Sequence, residues 1–118
     1  MKICICIPSR GRYNYVNRLL TSAFRNVKND KNIIVKYYIN EDDKQLDQYK
    51  IQLESFKNRY PDSVDYIIGP DQSPVYSWNL IAENTEADLY MLAGDESMFK
   101  TKHWDELLFK YAEKYKDG

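Results

Sequence analysis

This 118-residue chain is short of the residues that most catalytic chemistries use: it has two cysteines, one histidine and four glycines. Cys4 and Cys6 stand at i and i+2, which puts both thiols on one face of a strand. Neighbours of that kind are poorly placed to bond each other, and two ligands are too few for structural zinc. They are expected as buried, reduced core residues acting as small apolar groups. His103 would have to serve any Ser/His or Cys/His arrangement, yet no nucleophile motif stands near it. It is expected in the turn before the last helix. No glycine-rich phosphate loop of the P-loop kind occurs. Pro8-Ser9 occupies the place after the first strand where a phosphate-transfer enzyme on a doubly wound sheet would want a nucleophilic aspartate.

Excess charge of one sign is also missing. The formal net charge is −1, so there is no basic footprint for a nucleic-acid partner. An anionic ligand would have to be held by local cations or by a metal, not by the overall field. No apolar stretch approaches the roughly 20 residues that span a bilayer. Met1-Lys2-Ile3 runs straight into a strand-like segment, without the hydrophobic region of a signal peptide. The expectation is a cytoplasmic protein with no transmembrane segment. No repeat, low-complexity tract or linker divides the chain, so residues 1–118 read as a single domain.

What is present is an alternation of two periods. Ile3-Cys4-Ile5-Cys6-Ile7 is a continuous, β-branched run that suits a buried strand, and it stops at Pro8-Ser9-Arg10-Gly11. Val16, Leu19, Leu20, Ala23, Phe24 and Val27 then recur with helical spacing. Ile33 to Ile39, rich in Ile, Val and Tyr, Val64 to Ile68 and Leu89 to Ala93 read as further strands, the last of them buried. Leu46, Tyr49, Leu53, Phe56 and Tyr60 mark a second helix that ends at Pro61. Ser73-Pro74 supplies an N-cap and a proline at the first helical position for a third, with Val75, Trp78, Ile81 and Ala82 on one face. Trp104, Leu107, Leu108, Tyr111, Ala112 and Tyr115 mark a fourth. The order βαβαβαβα predicts an α/β three-layer sandwich with a mostly parallel sheet.

Connectivity then places the loops at Pro8 to Arg12, Asn40 to Asp43, Gly69 to Ser73 and Gly94 to Ser97 on one edge of that sheet. That edge is where open α/β sheets present ligands. Ser9, Arg10 and Arg12 offer a hydroxyl and two guanidinium forks suited to phosphate. Asn40, Glu41, Asp42 and Asp43 offer an amide and acceptors suited to a base edge or ribose hydroxyls. Asp95 and Glu96, adjacent carboxylates just past a strand, offer hard oxygen ligands for Mn²⁺ or Mg²⁺.

These residues resemble the family 2-like glycosyltransferases of the GT-A (nucleotide-diphospho-sugar transferase-like) fold. Ile5-Cys6-Ile7-Pro8-Ser9-Arg10-Gly11-Arg12 is similar to that family's opening strand and Pro-Ser/Thr-Arg-x-Arg loop. Tyr38 to Asp43 resembles its second strand, and Trp78-Asn79 with Ala87 to Ser97 resembles its Asn-containing helix and the strand leading to its metal-binding acidic motif. The likeness covers nearly the whole chain and implies a nucleotide-diphosphate sugar as partner, most often a UDP-sugar, bound with Mn²⁺ or Mg²⁺. It implies that Pro8, Ser9, Arg10 and Arg12 line the nucleotide together with Asn40 and Asn79. It further implies that Asp42 meets the base, and that Asp95 with Glu96 takes ribose, metal and diphosphate. Glu96 stands where the family commonly shows aspartate. The sequence runs only one helix past the acidic motif and offers no carboxylate identifiable as an acceptor base. The expectation is therefore a truncated or minimal donor-binding domain with an unknown acceptor. A non-catalytic nucleotide-binding or interaction module of the same fold is the alternative.

Overall fold

The protein is described here by a computed structural model of residues 2–114; Tyr115, the last apolar position read into the fourth helix, lies outside the described residues. Four strands, β1 (Ile3–Ser9), β2 (Ile33–Asn40), β3 (Val64–Gly69) and β4 (Leu89–Leu92), alternate with helices α1 (Val16–Asn26), α2 (Leu46–Arg59), α3 (Pro74–Glu83) and α4 (Trp104–Lys114). Every pairing is parallel and the spatial order is β3-β2-β1-β4.

That order explains the layers. The chain steps from β1 to β2 to β3 in one direction and then reverses across β1 to reach β4. Crossovers of one hand that reverse direction must lie on opposite faces. Ile3, Ile5 and Ile7 pack with Val16, Leu19 and Leu20 of α1 and Tyr49, Leu53 and Phe56 of α2. Cys4, Cys6 and Tyr38 pack on the other face with Ile81 of α3. Trp104 brings the start of α4 to the α1 face, where its indole donates to the Ala23 carbonyl at 3.0 Å. The thiols lie 3.7 Å apart, free and buried, as core residues would.

β1 runs two residues past its isoleucines, through a proline. The Cys6 carbonyl accepts from Ala93 N, so even-numbered residues of β1 turn their backbone groups toward β4. β4 ends its pairing at Leu92 opposite Cys6, so the N–H that Pro8 lacks has no ladder to serve.

Two sequence expectations need correction. β4 was read as buried, but it is one of the two edge strands of the described sheet, and Tyr90 and Leu92 are exposed. Both share the α3 face, where α3 covers β1 and β2 and leaves β4 bare. The apolar face of α3 is also narrower than its pattern, since Val75 is exposed while Ser77 is buried. Leu107 and Tyr111 of α4 are exposed as well.

Gly69, at the end of β3, sits hard against a buried tyrosine. A Cβ there would lie 2.5 Å from the Tyr38 hydroxyl. That hydroxyl donates to Pro70 O at 2.6 Å and accepts from Gln72 Nε2 at 2.7 Å, so it has little room to retreat. Gly69→Ala is expected to cost about 1–3 kcal/mol through overpacking. Urea denaturation would show a lower midpoint; an unchanged midpoint would mean that the Tyr38 ring shifts freely.

Candidate functional site

The reversal between β1 and β4 creates a crevice at the carboxyl ends of these two strands. Ser9 ends β1, and the turn after β4 carries Asp95 back to it. The Ser9 hydroxyl donates to Asp95 Oδ2 at 2.8 Å, joining residues 86 apart in sequence. With its only proton committed there, Ser9 accepts from the Tyr49 hydroxyl at 2.6 Å. Tyr49 in turn accepts from the backbone N–H of Arg12 at 2.8 Å. A buried chain of hydrogen bonds thus runs from α2 through β1 to the acidic turn. Burial pushes the Tyr49 phenol up, against the pull of its bonds to Ser9 and Arg12, so it keeps its proton at neutral pH.

Arg12 faces both carboxylates of the acidic motif. Its Nη1 lies 3.3 Å from Asp95 Oδ1 and 3.5 Å from Glu96 Oε1. Asp95 is mostly shielded and Glu96 is open to solvent. Two adjacent carboxylates of this kind fit a hard cation as a donor set. Among the described residues no group of three or more His, Cys, Asp or Glu side chains could hold a metal. Asp95 and Glu96 would therefore supply only part of a coordination sphere, leaving the rest to phosphate oxygens and water, which is the usual habit of Mg²⁺. Arg12 already compensates the same pair and would share the charge with the ion.

A cleft of about 310 Å³ opens beside this corner, lined by Pro8, Ser9, Arg10, Tyr38, Asn40 and Asp71 among others. Arg10 Nη1 bonds Asp71 Oδ1 at 2.7 Å, and Asn40 Nδ2 donates to the same oxygen at 3.2 Å. The Asp71 bond and charge raise the Arg10 pKa further. A second cavity, about 420 Å³, lies between Arg10 and the segment from Asp42 to Gln45. It is closed by Gly11, whose φ of 63° is one that glycine adopts without strain and whose N–H donates to Asp43 Oδ2 at 2.8 Å.

The structure therefore brings Pro8, Ser9, Arg10 and Asn40 to one cleft and Arg12, Asp95 and Glu96 to the corner beside it. Asp42 is exposed and lines the second cavity, not the cleft. Asn79 is exposed on α3 and lines neither. Sequence reasoning passed over Tyr49, Asp71, Gln72 and Tyr38. Asp71 and Gln72 fell inside a loop already placed on the ligand edge. Tyr49 and Tyr38 carried the signal of core residues, and nothing in one sequence marks a buried hydroxyl as a hub.

Asp105, in the first turn of α4 beyond the acidic motif, is fully buried. It accepts from Lys28 N at 2.7 Å, Asn32 Nδ2 at 3.1 Å and Asn29 N at 3.2 Å. Its oxygens tie α4 to the loop between α1 and β2, which makes it a structural anchor.

No family model and no curated protein matches this sequence. Solved structures do. The chain is similar to a mannosyltransferase from Pyrobaculum calidifontis in complex with GDP-Man and Mn²⁺, with a TM-score of 0.71 and 6% identity over 82% of this chain and 28% of that one. It is similar to residues 1–349 of S. aureus TarS, with a TM-score of 0.75 and 12% identity over 97% of this chain and 33% of that one. A longer TarS structure gives 0.74 and 15% over 96% of this chain and 20% of that one. The chain thus has a GT-A-like glycosyltransferase fold, and it spans a third or less of the length of these proteins. Among the described residues no helix is long and apolar enough to cross a membrane.

Proposed function

We propose that this chain binds a nucleotide-diphosphate sugar as the donor-binding part of a glycosyltransferase. The observation that carries the reading is the bond from Ser9 to Asp95, which closes the crevice at the reversal of strand order and aligns the acidic turn with the β1 loop. The cleft beside it has mixed donors and acceptors in Asn40, Asp71, Gln72 and the Tyr38 hydroxyl, a set able to read the edge of a base. Arg10 and Arg12 are placed for phosphate oxygens. Asp95 and Glu96 would hold Mn²⁺ or Mg²⁺ against the diphosphate. When bound, that ion supplies Lewis-acid stabilisation of the departing nucleoside diphosphate.

Ser9 and Tyr49 orient Asp95 in this reading, and Arg12 keeps the two carboxylates compatible with a polyanion. The Arg10–Asp71 pair lies over the cleft with both side chains more than half exposed, so a ligand can displace it at small cost. Calorimetry with UDP, GDP and CDP, each with and without Mn²⁺, is the direct test. Binding of a nucleoside diphosphate that strengthens with the ion is expected, with UDP the first candidate. No heat with any of the three under either condition would sink the proposal.

One observation favours a second reading, a nucleotide-binding module without transfer. Asp105 is fully engaged as a structural anchor, and among the described residues no carboxylate past the acidic motif lines the donor cleft. Slow, ion-dependent hydrolysis of a bound nucleotide sugar would decide for the transferase.

A further inference from the structure

Away from the donor cleft, a groove of about 490 Å³ runs between α1 and the segment following the acidic turn. Arg18 and Arg25 line it from the helix and Lys100 from the opposite wall, with Asn17 and Thr21 between them. Among the described residues no carboxylate lines it. The chain as a whole balances 17 basic residues against 18 acidic ones, yet residues 13–29 hold three cations and no Asp or Glu. Residues 97–103 add two lysines and again no acid. A solvated helix face usually interleaves opposite charges at i, i+4; this one does not. Arg25 also suits the negative end of the α1 dipole, but that account covers neither Arg18 in the first turn nor Lys100.

The groove is built, not merely open. Phe99 N–H donates to Ser22 Oγ at 2.9 Å and Asn26 Nδ2 donates to Phe99 O at 2.6 Å, seaming the far wall to the helix. Phe99 stacks on Trp104 with ring centroids 4.4 Å apart, which backs that seam. Arg18 is held by the Glu96 carbonyl at 2.8 Å and by the Tyr15 ring at 4.7 Å. Arg18 and Arg25 are seven residues apart on one helix, about 10 Å along its axis, so their forks address separate anionic groups. Guanidinium forks match phosphate geometry bidentately, and lysine adds a point charge.

We propose that this groove binds a ligand carrying two or more phosphate groups, at a site separate from the donor's diphosphate. The groove and the donor cleft share no lining residue, and the α3 residues Pro74 and Ser77 that help wall the cleft belong to the opposite face of the sheet from α1. The probe is inorganic tripolyphosphate, titrated calorimetrically into metal-free protein. The wild type is expected to bind with one site, and an R25A/K100A double variant at least roughly tenfold more weakly, as for the loss of two charge-assisted contacts. Both residues are exposed and circular dichroism would confirm that the double variant folds. Saturating UDP, without the Mn²⁺ that tripolyphosphate would itself chelate, is expected to leave one tripolyphosphate site in place, since the groove meets the donor corner only through the Arg18 bond to the Glu96 carbonyl. Competition by UDP would assign the phosphate to the donor site and overturn the proposal. Equal binding by the double variant, or no binding by the wild type, would overturn it too. Tripolyphosphate binding in a protein that takes up no nucleotide would uphold the groove and reject the donor reading alone.

Discussion

Replacing Asp105 with alanine is expected to destabilise the protein by on the order of 3 kcal/mol or more. The carboxylate is fully buried and receives three donations, from the backbone of Lys28 and Asn29 and the side chain of Asn32. Alanine would take the acceptor from three part-buried donors at once and untie α4 from the loop between α1 and β2, and it is the joint loss that makes the effect large. A domain of this length holds only about 5–15 kcal/mol in total, so thermal melting should drop by about 10 °C. Burial alone would raise the Asp105 pKa, but the donations from Lys28, Asn32 and Asn29 outweigh it and hold the carboxyl below its ordinary value. A group whose folded pKa lies below its unfolded one stabilises fully above the unfolded value. That stabilisation is intact above about pH 4 and is lost as the pH falls through the folded value. Melts of the wild type at pH 7 and pH 3 should therefore differ more than those of Asp105→Asn. A variant as stable as the wild type at pH 7 would show that water satisfies the three donors.

The second large effect belongs to Asp95. Asp95→Ala should weaken ion-dependent nucleotide binding about 100-fold, or nearly 3 kcal/mol, while stability changes by less than about 1 kcal/mol. The asymmetry follows from what each partner keeps. Arg12 retains Glu96, and the one hydroxyl proton that the Ser9–Tyr49 pair would lose an acceptor for belongs to a residue lining the open cleft, where water can take the place of the carboxylate. The ion would lose the better-shielded of its two carboxylates, leaving Glu96 on an exposed and less constrained side chain. Calorimetry with UDP and Mn²⁺ beside thermal melting separates the two quantities. Equal affinity in the variant would remove Asp95 from the site, and a large fall in melting temperature would recast it as a structural residue.

Much of the fold is legible in one sequence because period alone distinguishes its elements. The apolar runs from Ile3 and Ile33 mark the two central strands, which are covered on both faces, and the α1 stripe from Val16 to Ala23 repeats at 3.6. Ser73-Pro74 marked the start of α3, where the Ser73 hydroxyl does accept from Tyr76 N. β4 was misjudged for a physical reason: Leu89-Tyr90-Met91-Leu92-Ala93 is as apolar as a central strand. Burial depends on which strand lies beyond it, and that is a property of sheet order. The exposed Val75 has the same origin, since the width of a helix's buried face is set by what it packs against.

By itself the sequence determined the elements, their alternation and therefore the edge of the sheet that carries the polar loops, because local periodicity and chain connectivity need no tertiary information. Only the tertiary structure decided which loop residues meet. Ser9 finds Asp95, Arg10 finds Asp71 and Tyr49 reaches the β1 loop across separations of 37 to 86 residues. The same holds for the uncompensated cations of α1, which become a groove only when the segment around Phe99 is hydrogen-bonded alongside them. Hydrogen bonds act over about 3 Å, and contacts that short are set by the packing of the whole sheet and its helices, which no local window of residues encodes.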